Sequence, residues 1–204
     1  MENRDLEKQI LFLKEIDRMK SVLRQNHVIE EGRREDDAGH SWHAAVMAMT
    51  LAPYAKPQVQ VDRAIRMLLI HDLVEIYAGD TPCFDSDVVA TQAAREQAAA
   101  DKVAALLPEE QGKAYRALWE EFDRAETDDA QFAAAVDRLQ PLLLNYFTNG
   151  ASWVGRTVTR AQVYKRNELV KTVTPALWPF VEHAVETCYQ KRLLKAKRRF
   201  LWNR

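Results

Sequence analysis

Apolar residues recur at intervals of three and four positions along most of the chain, and this is the spacing of one face of an α-helix. In the first segment they fall at Ile10, Leu13, Ile16 and Met19, with charged residues between them. No stretch shows the sustained alternation of β-strands bounded by hairpin turns. The pattern therefore predicts an all-α fold, a single compact helical bundle.

Capping and turn residues set the predicted helix boundaries. Asp62 is expected to cap a helix that Gly79 closes, and Thr127 is expected to begin another. Residues 26–39 lose the helical period and gather charges and two glycines, so we expect a loop there. The predicted helices span about residues 10–23, 40–54, 62–79, 85–107, 109–124 and 127–147, with two more from residue 159 onward, separated at Pro175 and Pro179.

The size and charge of the chain limit the range of its functions. Its 204 residues, 47% hydrophobic and 29% charged, have the balance of one globular domain spanning residues 1–204. The formal net charge of −1 gives no electrostatic reason to expect a nucleic-acid or membrane partner. The segment KRLLKAKRRFLWNR, residues 191–204, is basic, but its interleaved apolar residues favour an amphipathic helix that docks on the same or a second subunit.

Cys83 and Cys188 stand far apart and form neither a disulfide framework nor a zinc-finger pattern. The first residues lack the pattern of an export signal, and no apolar run approaches the ~18 residues of a membrane span. A reducing cytoplasm is therefore the expected location.

Candidate chemistry is concentrated at His71 and Asp72, which directly follow the apolar stretch MLLI. A buried charge needs a compensating partner because burying it alone is costly. Glu75 lies one helical turn further on, and Asp80 follows the turn at Gly79. Histidine, aspartate and glutamate side chains within one helical turn, and a further aspartate just after the helix, make this segment a candidate site.

Three further residues belong to the same hypothesis. His40 and His43 stand near the start of the preceding helix, and Asp137 lies in an otherwise apolar one. Each residue also has a structural explanation, because a buried histidine beside a carboxylate is often only a hydrogen bond, and Asp137 could pair with an arginine. Glu75 could equally be a surface acid and Asp80 a turn cap.

Four stretches, RMKSVLR, REDDAGHSWH, LLIHDLVEIYAGDTP and DRLQPLLLN, together resemble the HD superfamily of metal-dependent phosphohydrolases, and within it the branch of small 5'-deoxynucleotidases. The resemblance covers about residues 18–145, and the C-terminal helices expected within 159–204 carry no matching motif. It implies an HD-domain helical bundle with one divalent metal ion. The implied metal ligands are His40, His71, Asp72 and Asp137.

The resemblance also implies roles for other residues. His43 is the rival of His40 as first ligand, but it lies one turn deeper, where a supporting role is expected. Glu75 and Asp80 would handle the attacking water and the leaving group, in an order that stays open. Arg24 matches an arginine that approaches the substrate, and a guanidinium suits a phosphate. The chain departs from the family pattern at two positions, with Gly39 before the first histidine and Gln25 after the arginine.

The expected function is hydrolysis of a phosphomonoester, and the expected substrate is a nucleoside or deoxynucleoside 5'-monophosphate. The alternatives are a phosphodiesterase, a nucleotide triphosphohydrolase, or a non-catalytic metal-binding interaction module. Mixed histidine and carboxylate ligands admit Mn, Co, Fe, Ni or Zn, and Mg less readily. The aromatic residues Trp42, Trp119 and Trp153 could line a nucleobase pocket, although core packing is the commoner role. A homodimer is expected only because related enzymes often form one.

Overall fold

The computed structural model describes residues 2–80 and 86–196. Within them the chain is helical except for one small sheet, so the predicted all-α class is confirmed. The α-helices are α1 Glu2–Ile16, α2 Asp37–Leu51, α3 Val61–Ile70, α4 Glu75–Ala78, α5 Ser86–Ala105, α6 Glu109–Arg124, α7 Asp128–Phe147, α8 Arg160–Arg166, α9 Glu168–Val173 and α10 Trp178–Gln190. Short 3-10 helices connect several of them, at Asp17–Ser21, Ala52–Tyr54, His71–Val74, Ala151–Trp153 and Pro175–Leu177. Cys83 lies outside the described residues, so the cysteine argument is not tested. The terminal helix predicted for residues 191–204 is wrong over residues 191–196, because α10 ends at Gln190 and Lys195 forms an isolated parallel bridge with Thr159, whereas the tail beyond residue 196 lies outside the described residues.

The core is built around α2, α3 and α7, which pack against one another. Their inner faces carry small residues, including Ala44, Ala48 and Ala64, all without exposed surface. Phe132 and Met67 fill the space between the helices and are also fully buried. Small side chains let the backbones approach closely, so residues on these three helices meet at short distances.

The predicted loop at residues 26–39 is wrong, because it contains most of a β-hairpin. Strands β1 Leu23–His27 and β2 Arg34–Asp36 pair antiparallel, with Leu23 opposite Asp36. The turn places Gly32 at a φ of 65°, which glycine adopts without steric cost. Strands of five and three residues are too short to show a clear alternation, so the pattern carried no signal for them.

Three predicted helix limits are also corrected. Helix α2 begins at Asp37 rather than His40, because the Asp36 side chain accepts a hydrogen bond from Gly39 N at 2.8 Å and caps the helix. Asp62 is not a cap, since Gln60 occupies that position of α3. Pro179 does not end a helix but lies in the first turn of α10, where its missing N–H costs nothing.

The helix predicted for residues 62–79 is broken at its functional end. Helix α3 stops at Ile70, a 3-10 turn follows at His71–Val74, and α4 runs to Ala78, where Gly79 closes it at a φ of 75°. Over four residues, periods of 3.0 and 3.6 give the same apolar pattern, so the sequence could not distinguish them. The boundaries of α6 and the cap of α7 at Thr127 are confirmed. No described helix combines the length and apolar character needed to cross a bilayer.

Candidate metal centre

The four residues predicted as metal ligands come from three elements that pack together. His40 lies in the first turn of α2, His71 and Asp72 in the 3-10 turn after α3, and Asp137 in the middle of α7. One ligand atom from each of His40, His71 and Asp72 lies within 4.8 Å of the others. Asp137 Oδ1 is 3.0 Å from His40 Nε2 and 3.5 Å from His71 Nε2. The structure therefore brings all four side chains together.

Hydrogen bonds fix which ring nitrogen of His40 is free. Gln140 Nε2 donates to Glu35 Oε1 at 2.6 Å, so the amide must turn its oxygen towards His40. His40 Nδ1 lies 3.0 Å from that oxygen and must be the donor. The Nε2 lone pair of the neutral ring therefore faces Asp137.

His71 is oriented in the same way by a backbone group. Its Nδ1 donates to Leu68 O at 2.8 Å, because a carbonyl oxygen can only accept. Its Nε2 is buried and has no hydrogen-bond partner among the described residues, although Asp72 Oδ1 lies 3.1 Å away. Two imidazole nitrogens and two carboxylates thus converge with their lone pairs inward, and this donor set fits a divalent cation.

The charges of the cluster support the same conclusion. Burial disfavours the imidazolium, but Asp72 and Asp137 outweigh burial and raise the pKa of His71 to about 10. Burial opposes ionisation of Asp72 too, yet the charges of His71 and Arg24 hold its pKa well below the usual value. The carboxylates therefore attract positive charge strongly, and without a cation a proton supplies it.

More acids lie beside the four convergent residues. Asp37, Asp72 and Glu75 each place an oxygen within 4.8 Å of the other two. Burial and the charge of Asp72 raise the pKa of Glu75 to about 11, and the same two causes raise the pKa of Asp37 to about 7. Arg24 balances part of this charge, since its Nη1 lies 2.5 Å from Asp72 Oδ2 and 3.3 Å from Asp37 Oδ1.

A cavity of about 400 Å³ opens beside the cluster. Its wall includes His71, Asp72 and Asp137, whereas His40 lies behind them with no exposed surface. The three other residues predicted to act on substrate, Arg24, Glu75 and Asp80, also line it. This volume is within the range of small-molecule sites, which span about 300–1,000 Å³.

The aromatic residues divide between the cavity and the surface. Trp119 and Trp153 are 6% exposed and line the cavity together with Phe122. Trp42 is 65% exposed and is absent from the wall, so neither the nucleobase-pocket nor the core-packing hypothesis holds for it. His43, the rival ligand, instead contacts Gln140, with its Nδ1 3.1 Å from Gln140 Nε2.

In the cavity wall, Gln25 contacts two residues that are distant in the sequence, Asp80 and Arg156. Its Nε2 donates to Asp80 Oδ2 at 3.4 Å, and its Oε1 accepts a hydrogen bond from Arg156 Nη2. The position where the sequence departs from the family pattern thus contacts a predicted catalytic acid. A polar amide there restrains the Asp80 carboxylate from one side.

Several residues of the site were not found from the sequence. Gln140, Glu35 and Asp37 support the ligands, and Arg138 and Arg166 line the cavity. Gln140 lies three residues after Asp137, on the same face of its helix, and this spacing was the one available signal. The others stand in charged stretches, where most side chains are solvated.

Comparison with known proteins agrees with this geometry. The family model for the HD domain matches residues 16–178. The chain belongs to the HD domain family. Human 5'-deoxynucleotidase HDDC2, a similar protein, is 30% identical over 133 residues, which are 65% of this chain and 64% of the human protein. The mouse protein of the same name is 30% identical over an alignment of the same length, 65% of each chain. The chain thus matches somewhat less than two thirds of these relatives.

Solved structures resemble this chain over nearly its whole length. The crystal structure of a predicted metal-dependent phosphohydrolase from Magnetospirillum magnetotacticum MS-1 superposes with a TM-score of 0.88 and 44% identity, covering 95% of this chain and 96% of that one. A conserved hypothetical protein from Pyrococcus furiosus has a TM-score of 0.60 at 20% identity, covering 89% of this chain and 99% of that one. The latter shows the common fold. The predicted membership of the HD superfamily is confirmed.

Proposed function

We propose that this chain is a metal-dependent phosphohydrolase that releases phosphate from nucleoside or deoxynucleoside 5'-monophosphates. The observation that carries the proposal is the convergence of His40, His71, Asp72 and Asp137 beside a cavity of about 400 Å³. The names of the similar proteins support it, since they include 5'-deoxynucleotidases and a predicted metal-dependent phosphohydrolase.

The four convergent side chains would hold one divalent cation through two imidazole nitrogens and carboxylate oxygens. This mixed donor set suits Mn, Fe, Co, Ni or Zn better than Mg, which prefers oxygen ligands and retains its waters. A cation bound there supplies a Lewis acid for a phosphate oxygen and lowers the pKa of water. The protein contributes the orientation of the ligands through Gln140 and Leu68 O.

Two carboxyl groups in the cavity wall would transfer protons. Glu75 has a buried Oε2 without a hydrogen-bond partner among the described residues, and its raised pKa keeps it protonated while no cation is bound. The positive charge of a cation at the cluster would favour the carboxylate of Glu75, which could then accept a proton from an attacking water. Asp80 also lines the cavity, accepts a hydrogen bond from Gln25 and would supply a proton to the departing sugar oxygen. Arg24 would hold Asp37 and Asp72 in place and approach the phosphate from the same side.

The aromatic part of the cavity would receive the base. Trp119 and Phe122 stand in the wall with the polar residues Gln92 and Glu96. Aromatic rings bind planar bases by stacking, whereas nearby polar groups can read the base edges. A mononucleotide therefore finds complementary surfaces for its phosphate and its base in one cavity.

A panel of nucleotides tests the substrate class. The purified protein, with each candidate cation added in turn, is incubated with nucleoside and deoxynucleoside mono-, di- and triphosphates and with cyclic diesters. Free phosphate, pyrophosphate and nucleoside are then measured. Turnover of monophosphates with release of phosphate is the expected result. Pyrophosphate release or diester cleavage would instead assign a triphosphohydrolase or a phosphodiesterase.

Two variants test the site within this proposal. His71→Ala is expected to lose the bound cation, whereas Glu75→Gln is expected to retain the cation and lose turnover by about 100-fold or more. Elemental analysis and phosphate release measure the two effects. Glu182→Gln, an exposed substitution on α10, is the control and should change neither. Full activity in both site variants would contradict the proposal.

Two further properties stay predictions. We expect a homodimer and a cytoplasmic location, and nothing in the contacts of the described residues bears on either. Light scattering of the purified protein measures the first, and cell fractionation measures the second. Neither result would change the chemistry proposed for the site.

A further inference from the structure

Two arginines line the cavity next to Asp137 and have little compensation from carboxylates. Arg138 follows Asp137 on α7, and Arg166 is the last residue of α8. Within residues 2–80 and 86–196, no hydrogen bond or ion pair involves Arg138. The ion pair found there for Arg166 is a long one, 3.9 Å from Nη2 to Asp137 Oδ2.

The two guanidinium groups also repel each other. Arg138 is partly buried, Arg166 is exposed, and both side chains line the same cavity, where the positive charge of each acts on the other. Placing like charges together in a partly desolvated wall is unfavourable unless a ligand offsets the repulsion. Such an arrangement is therefore typical of a surface that binds an anion.

Arg24 provides the contrast within the same cavity. Its guanidinium lies within 4.0 Å of carboxylates of Asp72, Asp37 and Glu35, and its side chain is 12% exposed. Three acids around one guanidinium offset most of its charge, so Arg24 can contact a phosphate but adds little net positive charge to attract a dianion. Beside Asp137, the positive charge that carboxylates offset least is instead at Arg138 and Arg166, whereas Arg156, elsewhere in the cavity wall, donates a hydrogen bond to Gln25.

We propose that Arg138 and Arg166 form an anion subsite that binds the outer oxygens of the substrate phosphate and selects dianionic monoesters over monoanionic diesters. The assignment rests on the proposed function, because it concerns the phosphate that the same site would cleave. Asp137 supplies the geometry, since its Oδ1 faces the two histidines and its Oδ2 faces Arg166. A phosphate with one oxygen at the ligand cluster can thus reach the arginines with the others.

The selectivity follows from charge. A phosphomonoester carries two negative charges near pH 7, and two cations on one wall neutralise both. A diester carries one charge and has one fewer unsubstituted oxygen, so it leaves a guanidinium without a partner. The arginine pair therefore favours monoesters even if the ligand cluster alone would accept either.

Direct binding of small anions tests the subsite independently of turnover. Isothermal titration calorimetry measures inorganic phosphate and dimethyl phosphate binding to the cation-loaded protein. Arg138→Met and Arg166→Met remove one charge each at similar length, and Arg138→Lys restores a charge without the planar fork. Arg66→Met, an exposed substitution on α3 away from the cavity, is the control. Elemental analysis and circular dichroism check that each variant keeps its cation and fold.

Each methionine variant is expected to weaken phosphate binding on the order of 10- to 100-fold, the usual effect of losing a charge-assisted hydrogen bond. Dimethyl phosphate should bind weakly to the wild type, and its affinity should fall less in the methionine variants. Arg138→Lys should recover part of the affinity for inorganic phosphate. Arg66→Met should match the wild type. If Arg138→Met does not fold, Arg166→Met still tests the subsite. The Arg166 side chain is 40% exposed, so we expect its replacement to leave the fold intact.

Unchanged phosphate affinity in the arginine variants, or an equal loss in Arg66→Met, would overturn the subsite. That outcome together with normal monophosphate turnover would leave the proposed function intact. Conversely, arginine-dependent phosphate binding in a protein that hydrolyses no nucleotide would support the subsite and reject the proposed function. The two proposals are therefore separable.

Discussion

Gln140 shows how one neutral side chain prepares a histidine to bind a cation. It is fully buried, and its amide contacts His40, His43 and Glu35 at once. Because the Gln140 amide nitrogen donates to the carboxylate of Glu35, the amide oxygen faces His40 and accepts a hydrogen bond from His40 Nδ1. The direction of a single amide thus decides that His40 Nε2 carries the lone pair.

Gln140→Leu should keep most of the packing volume and remove the hydrogen bonds of the amide to His40, Glu35 and His43. Glu35 then loses its buried donor at a cost of about 1–3 kcal/mol in the free energy of unfolding. The affinity for the cation should fall about 10- to 100-fold, since His40 is no longer held in one tautomer and orientation. Chelator competition measures the affinity, and chemical denaturation measures the stability.

Gln190→Leu is the matched control, because Gln190 is exposed at the end of α10. It should change neither quantity by a measurable amount. A cation affinity in Gln140→Leu equal to that of the wild type would show that the amide does not orient His40.

At the scale of elements, the break after α3 positions the site. The 3-10 turn at His71–Val74 places His71 and Asp72 at the inner end of α3, facing α7. Helix α7 completes the arrangement, and Pro141 within it lacks the N–H that would otherwise bond Asp137 O. Regular helices thus carry His40 and Asp137, whereas the 3-10 turn carries His71 and Asp72.

The packing of α5 against α6 depends on one glycine. A Cβ on Gly112 would lie 2.3 Å from Ala104 O, a backbone atom that cannot move without shifting α5. We expect Gly112→Ala to lower the free energy of unfolding by roughly 1–3 kcal/mol, although alanine is the better helix former. Thermal denaturation followed by circular dichroism measures the loss.

Gly39→Ala serves as the comparison, because Gly39 also lies within a helix. Its nearest atom would be Asp36 Oδ1 at 3.4 Å, an ordinary contact. Helix propensity should then make this variant neutral or more stable by up to about 1 kcal/mol. Equal stability of the two variants would mean that the close approach of α5 and α6 does not constrain residue 112.

At the scale of the molecule, a chain with a formal net charge of −1 concentrates acids at one point. His40 Nε2, His71 Nε2 and the carboxylates meet where the core helices converge, and Arg24 balances part of the charge. The stability of the fold therefore depends on the positive charge bound among these carboxylates, which either protons or a cation supply. This linkage makes stability depend on pH and on metal.

Without a cation, thermal stability should fall as pH rises from 7 to 9. The pKa of His71 is raised from 6.5 to about 10 and that of Glu75 from 4.5 to about 11. The folded protein then binds more protons than the unfolded chain in this range, so raising the pH favours unfolding. Thermal melts of protein treated with a chelator measure the effect.

Restoring the cation should raise the Tm and flatten this pH dependence, because the cation replaces protons at His71. Binding at about 100 times the dissociation constant stabilises a fold by about 2.7 kcal/mol. Glu75→Gln should make the slope of the cation-free protein shallower, since one titrating group is removed. A Tm that rises with pH after chelation would contradict the charge balance described for the centre.

The sequence by itself determined the helical class, most helix positions, the residue types of the site and the family. These follow from local periodicity, caps and motifs, which short segments carry on their own. The convergence of His40, His71, Asp72 and Asp137 was expected from the family resemblance, and the structure brings them together. Their role as metal ligands stays a prediction.

Only the tertiary structure decided the hairpin at β1 and β2, the break at His71, the tautomer of His40 and the distribution of arginines around the cavity. Each depends on contacts between distant parts of the chain, as in the bond between His40 and Gln140, which lie 100 positions apart. Spacing along the sequence says which side chains share a helix face, but not which partner satisfies a buried donor. Packing fixes the partners, and the partners fix the charge and the direction of each group at the centre.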